Sequence, residues 1–267
     1  MMQSNDELGH FKTIRLIVVI ALLMLLGVNF YFSIGSIKGV TMVMVDSGTP
    51  SILKFSGYSS FIWIPLYLGL ITYALIQVQP NTNHLYFLDT VGFYFILACI
   101  IMICTFFAFL RLRYVVTFLL ILCITFFVYK AYRNLHENSS QLNVLQKWVL
   151  LSAFGFSLGW SCIEFTSIFD YILSSNNWSG MDYQNELWAS FLLIGLVIFL
   201  FIFVKIYKNP SFTLGVVWGL GSIASASRYS WISKFAWACA AISLLATFVI
   251  CIKDCQFIKD IRDRKNL

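Results

Sequence analysis

Charge is what this chain has least of. Only 11% of its 267 residues are Asp, Glu, Lys or Arg, against 60% hydrophobic, and mean hydropathy is +0.82. A water-soluble domain of this length covers its surface with far more charge, so a soluble globular fold is excluded. Proline is scarce too, with 4 residues. The stretches between apolar runs are short and leave no room for a separate soluble domain. Histidine is nearly absent: His10, His84 and His136 each lie in or beside a polar segment, far apart in sequence. With no HExxH, GxSxG or Walker loop, no catalytic set emerges. The 7 cysteines lie mostly inside apolar runs at no metal-ligand spacing, so they read as small hydrophobes rather than as a disulfide framework or a zinc site.

What is present is a series of apolar runs separated by short charged clusters. Runs of about 20 apolar residues without period-two alternation are transmembrane helices, not barrel strands. Eight spans are expected, at 14–34, 58–78, 88–110, 114–132, 147–170, 187–207, 211–228 and 231–252. The chain is therefore all-α, a polytopic integral membrane helix bundle whose partners include membrane lipids. The first run exceeds a usual signal-peptide core and lacks a small-x-small cleavage site, so it reads as a retained span. Eight spans put both termini on one side. Twelve of the 18 Lys and Arg then fall there, which by the positive-inside rule makes that side the cytoplasm. The missing Arg-rich amphipathic leader favours a bacterial plasma (inner) membrane over an organelle.

The net charge of +6 does not mark a nucleic-acid partner, because the basic residues sit at span ends, where headgroup anchoring explains them. Two GxxxG patterns, Gly155 to Gly159 and Gly215 to Gly219, place paired glycines on single helix faces. Packing within one chain is the simpler reading; a homodimer through those faces is its rival. Glu164 lies inside the fifth span, where a carboxylate is costly and must face protein or water. Asp170 is closer to the span end and reads as solvated. Trp148, Trp188, Trp231 and Trp237 sit near span ends as belt anchors, whereas Trp63, Trp160 and Trp218 are embedded among small residues and could wall a pocket.

The order of several local patterns resembles the TspO/MBR family, the tryptophan-rich sensory proteins related to the peripheral benzodiazepine receptor. Gly57, Tyr58, Ile62, Trp63, Tyr67 and Leu68 match the core of the family's second helix, and Leu158, Gly159 and Trp160 that of the fifth. Glu186, Leu187, Trp188 and Ala189 match the opening of the next helix, and Trp218 lies in the one after it. The resemblance implies a five-helix TspO-like membrane core over 1–173, three additional transmembrane helices over 174–252 and a charged cytoplasmic tail over 253–267. The family's Trp-x-Pro-Pro loop is missing before the second helix, where Pro50 stands alone. Glu164 stands where the family has a small or neutral residue.

The resemblance further implies a sensor or ligand-binding protein for hydrophobic planar ligands, porphyrin (tetrapyrrole) or sterol, with no resident cofactor and no metal. The ligand would lie in the five-helix core, stacked on Trp63, Tyr67 and Trp160 and oriented by Ser161 or Glu164, with Phe156 and Phe165 as further lining. A small secondary transporter using Glu164 as a proton-coupled site is the alternative. Its internal repeats and broken helices are not evident, and Pro65 is the sole proline well inside a span. A membrane enzyme acting on lipid or pigment ranks last, because the acidic residues are scattered.

Overall fold

In the computed structural model, residues 5–34, 51–79, 85–176 and 184–253 are described. His84, Pro50 and the tail beyond 253 lie outside them. Eight α-helices make up this part of the chain: α1 (Asn5–Ile34), α2 (Trp63–Gln77), α3 (Phe87–Leu110), α4 (Tyr114–Glu137), α5 (Val144–Ser175), α6 (Gln184–Tyr207), α7 (Pro210–Ala226) and α8 (Ser230–Lys253). No strand occurs among the described residues. A backbone in hydrocarbon must satisfy its own hydrogen bonds, and long apolar runs do so as helices.

Local chemistry sets several boundaries. Asn143 caps α5 in a capping box: its side chain accepts from the Gln146 N–H at 2.8 Å, and the Gln146 side chain accepts from the Asn143 N–H at 3.3 Å. Asn209 caps α7 by accepting from the Ser211 N–H at 2.9 Å, with Pro210 in the first turn. The α3–α4 connection turns within three residues because Leu112 adopts φ 56°, a left-handed conformation unusual for a side chain of its size. Pro65 lies inside the Gly57–Gln77 span, as expected, without breaking α2. A 3-10 turn, Gly57–Ile62, leads into α2, and Pro65 occupies the first turn, where no N–H is needed.

Seven segments among the described residues are long and apolar enough to cross a bilayer, α2 only together with the 3-10 turn before it, as Gly57–Gln77. The exception is α7, whose 17 residues reach about 25 Å, less than the ~30 Å of hydrocarbon. The expected seventh span is thus a shorter helix. It is also deeply enclosed, with Phe212, Val216, Leu220 and Ile223 fully buried.

Packing centres on α5. In its apolar window 67% of residues are buried, against 28–44% in the other spans, so it is the axis of the bundle. Along one side α1 packs on α3, α3 on α4, and α4 and α2 on α5; elsewhere α7 packs on α5, α8 on α7 and α6 on α8. The α5–α7 seam explains both glycine pairs. A Cβ on Gly159 would overlap the Phe212 carbonyl, and one on Gly215 would overlap the Phe156 carbonyl and come within 2.8 Å of the Trp160 backbone nitrogen. The two motifs face each other within one chain, and this contact occupies both faces.

Candidate functional site

The site begins where the chain enters α2. Trp63 and Tyr67, one turn apart, stack with ring centroids 5.4 Å apart, and Phe106 of α3 lies 5.9 Å from Trp63. From α5, one face presents Phe154, Ser157, Trp160 and Ser161. Trp160 is buried beneath Phe55, with centroids at 5.1 Å. The Ser157 and Ser161 hydroxyls donate to carbonyls one turn back, Ala153 at 2.8 Å and Ser157 at 3.0 Å, so neither needs another partner.

Between these helices lies an apolar cavity of about 50 Å³. Its walls come from five helices: Leu25 of α1; Trp63, Leu66 and Leu70 of α2; Phe95, Ala98, Cys99 and Met102 of α3; Ile124 and Val128 of α4; and Phe154, Ser157, Trp160 and Ser161 of α5. No wall residue is charged. Trp63, Trp160 and Ser161 are thus brought together, with Tyr67 behind Trp63. The α1, α3 and α4 lining escaped the sequence reading, because ordinary Leu, Ala and Met in an apolar span carry no local signal.

Glu164 does not line the cavity. It lies one turn beyond Trp160 on the same face of α5, partly buried. Its carboxylate interacts electrostatically with the Trp160 indole and with the Tyr67 hydroxyl. These contacts fall short of formed hydrogen bonds: the Trp160 Nε1 and the Tyr67 hydroxyl are both buried without a hydrogen-bond partner. Orphaned donors of this kind are uncommon in a folded interior.

A strap of residues 51–56 closes the end of the bundle next to Glu164. Asp170 fastens it, and this corrects the reading of that residue as solvated: Asp170 is buried, and one carboxylate oxygen accepts from the Ser51 hydroxyl at 2.6 Å, the Ile52 N–H at 2.7 Å and the Leu53 N–H at 3.0 Å. The Ser167 hydroxyl donates to the Leu53 carbonyl at 2.7 Å. Ser222 of α7 accepts from the Ser56 N–H at 2.8 Å.

Other expected lining points elsewhere. The Phe156 backbone lies against Gly215 on the α7 seam, and Phe156 is not in the cavity wall. Phe165 stacks on Phe118 of α4 at 4.7 Å. Trp218 meets Tyr58 edge-on at 6.0 Å. A further polar centre had no sequence signal at all. Arg15, expected to anchor at the headgroups, is buried and paired with Asp89 of α3, Nε to Oδ1 at 3.2 Å. Beside it the fully buried Gln77 donates to the Leu88 carbonyl at 3.0 Å and lies against Gly92, where a Cβ would come within 2.7 Å of its amide nitrogen.

No curated protein and no solved structure matches this chain. The family model described as TSPO-like protein matches residues 15–249, spanning the greater part of α1, all of α2 to α7 and most of α8. A multi-pass helical bundle matched over nearly its full length belongs to that family: the chain is a TSPO-like integral membrane protein.

Proposed function

We propose that this protein binds a hydrophobic, planar small molecule in the cavity between α1 and α5, and serves as a membrane sensor or ligand-binding protein. One observation carries the reading: an uncharged cavity walled by the rings of Trp63 and Trp160, with the buried Trp160 indole N–H left without a partner at its edge. Rings supply stacking area, and an orphaned donor supplies direction.

Size and charge narrow the ligand. About 50 Å³ holds a few atoms, whereas drug-sized ligands occupy roughly 300–1,000 Å³. A tetrapyrrole or sterol therefore requires α2 and the strap to move away from α5. The walls offer no basic group to a propionate. A neutral sterol-like ligand fits these electrostatics better than a dianionic porphyrin. With α7 crossing alongside the seven longer spans, the charge bias along the chain supports both termini in the cytoplasm.

The test is energy transfer from tryptophan to dehydroergosterol in nanodiscs, with protoporphyrin quenching measured in parallel. Saturable transfer, weakened in Trp63→Phe and Trp160→Phe, is the expected result. Signals that rise linearly for both ligands and are the same in all three proteins report partitioning into lipid and defeat the reading.

A further inference from the structure

Glu164 lies inside a membrane helix, and no basic side chain among the described residues pairs with it. The two ion pairs among the described residues are Arg15–Asp89 and Arg133–Glu137, and no basic side chain acts on Glu164. Intramembrane carboxylates normally pair with a cation or face a pathway. What surrounds this one is aromatic: Trp160 one turn away on the same helix, Tyr67 within electrostatic reach, Trp63 stacked on Tyr67 and Phe55 over Trp160. Ring faces beside a lone carboxylate form a site for an organic cation, because the ring quadrupole and the carboxylate both attract positive charge.

We propose that this protein takes lipophilic amines, with the ammonium held by Glu164 and the rings of Trp63, Tyr67 and Trp160, and the apolar body directed into the cavity. The proposal rests on the reading of that cavity as a ligand site and adds the class of ligand. Glu164 is only partly buried, so an amine reaches it from outside the bundle. The uncharged walls, from Leu66 and Leu70 to Phe95 and Phe154, suit an apolar tail. The strap held by Asp170 bounds the site on the far side of Glu164.

The experiment compares N,N-dimethylphenethylamine with its neutral isostere isopentylbenzene by saturation-transfer NMR on protein in nanodiscs. Wild type, Glu164→Gln and Glu164→Asp are run together. The amine is expected to bind wild type about tenfold tighter than the isostere, as a partly desolvated charge contact allows. Glu164→Gln should remove that advantage while leaving the isostere unchanged, which also shows that the variant is folded, and Glu164→Asp should keep part of it. Equal binding of both probes, unaltered by Glu164→Gln, overturns the amine assignment but leaves the cavity reading standing. Saturable dehydroergosterol binding with neither probe bound does the same. Absence of saturable binding by any of the three ligands overturns the cavity reading and the amine assignment with it.

Discussion

The Asp170 carboxylate accepts the Ser51 hydroxyl at 2.6 Å, across 119 positions of sequence. With the Ile52 and Leu53 amides on the same oxygen, this contact decides whether the strap lies closed over the Glu164 end of the bundle. Hydrogen bonds to a charged group are worth about 1.5–3 kcal/mol each. Asp170→Asn should weaken all three and release the strap. A cysteine placed at Phe55 should then react with a membrane-impermeant maleimide several times faster than in the Asp170 background. Unchanged labelling would mean that packing and the Ser167 and Ser222 hydrogen bonds hold the strap without Asp170.

The cavity makes a separate prediction. Ala98 is a buried wall residue, and Ala98→Leu adds three carbons to a space of about 50 Å³. Filling a cavity costs little stability where the added atoms fit. The melting temperature should stay within a few degrees while dehydroergosterol binding falls by about tenfold or more, since a displaced ligand group loses its contacts. Undiminished binding would place the ligand elsewhere.

The buried Arg15–Asp89 pair should behave as a unit. Removing one partner strands a buried charge at a cost of about 3–5 kcal/mol, whereas replacing both by apolar residues is near neutral. Arg15→Met and Asp89→Leu should each lower thermal stability sharply, and the double variant should recover most of the loss. A double variant as damaged as the sum of the singles would show that the two residues act independently.

Glycines separate into two kinds. At Gly159 an added Cβ overlaps the Phe212 carbonyl, so Gly159→Ala should destabilise by about 1–3 kcal/mol through overpacking. Gly195 has nothing within 4 Å of the corresponding position, so Gly195→Ala should be neutral or stabilising by up to about 1 kcal/mol. Denaturant-dependent loss of near-UV circular dichroism ranks the two, and equal values would contradict the seam.

Much of the fold was legible because hydrocarbon imposes a simple rule on sequence: the apolar runs predicted as spans lie close to the helices, except that α1 begins earlier, at Asn5. The misreadings came from partners far away along the chain. Asp170 looked solvated because its acceptor role depends on amides more than a hundred residues earlier, and Arg15 looked like an anchor because Asp89 lies two helices away. At the site, Trp63 and Trp160, embedded among small residues, and Ser161, implied by the family resemblance, do share a cavity wall, whereas Phe156 is not in that wall and Phe165 stacks on α4. Helix phase was the missing information. A mean apolar stretch points no particular residue inward, and only the glycine pairs carried a directional signal.

The α5–α7 seam also constrains the order of assembly. When Gly155 and Gly159 leave the ribosome, the Phe212 carbonyl that will fill the groove beside Gly159 has not been synthesised. The groove must wait in the bilayer, open to lipid or to the insertion machinery, through the making of α6. Insertion therefore does not finish the helices one by one: the central helix is the fifth to be made, and its packing is completed only by the seventh.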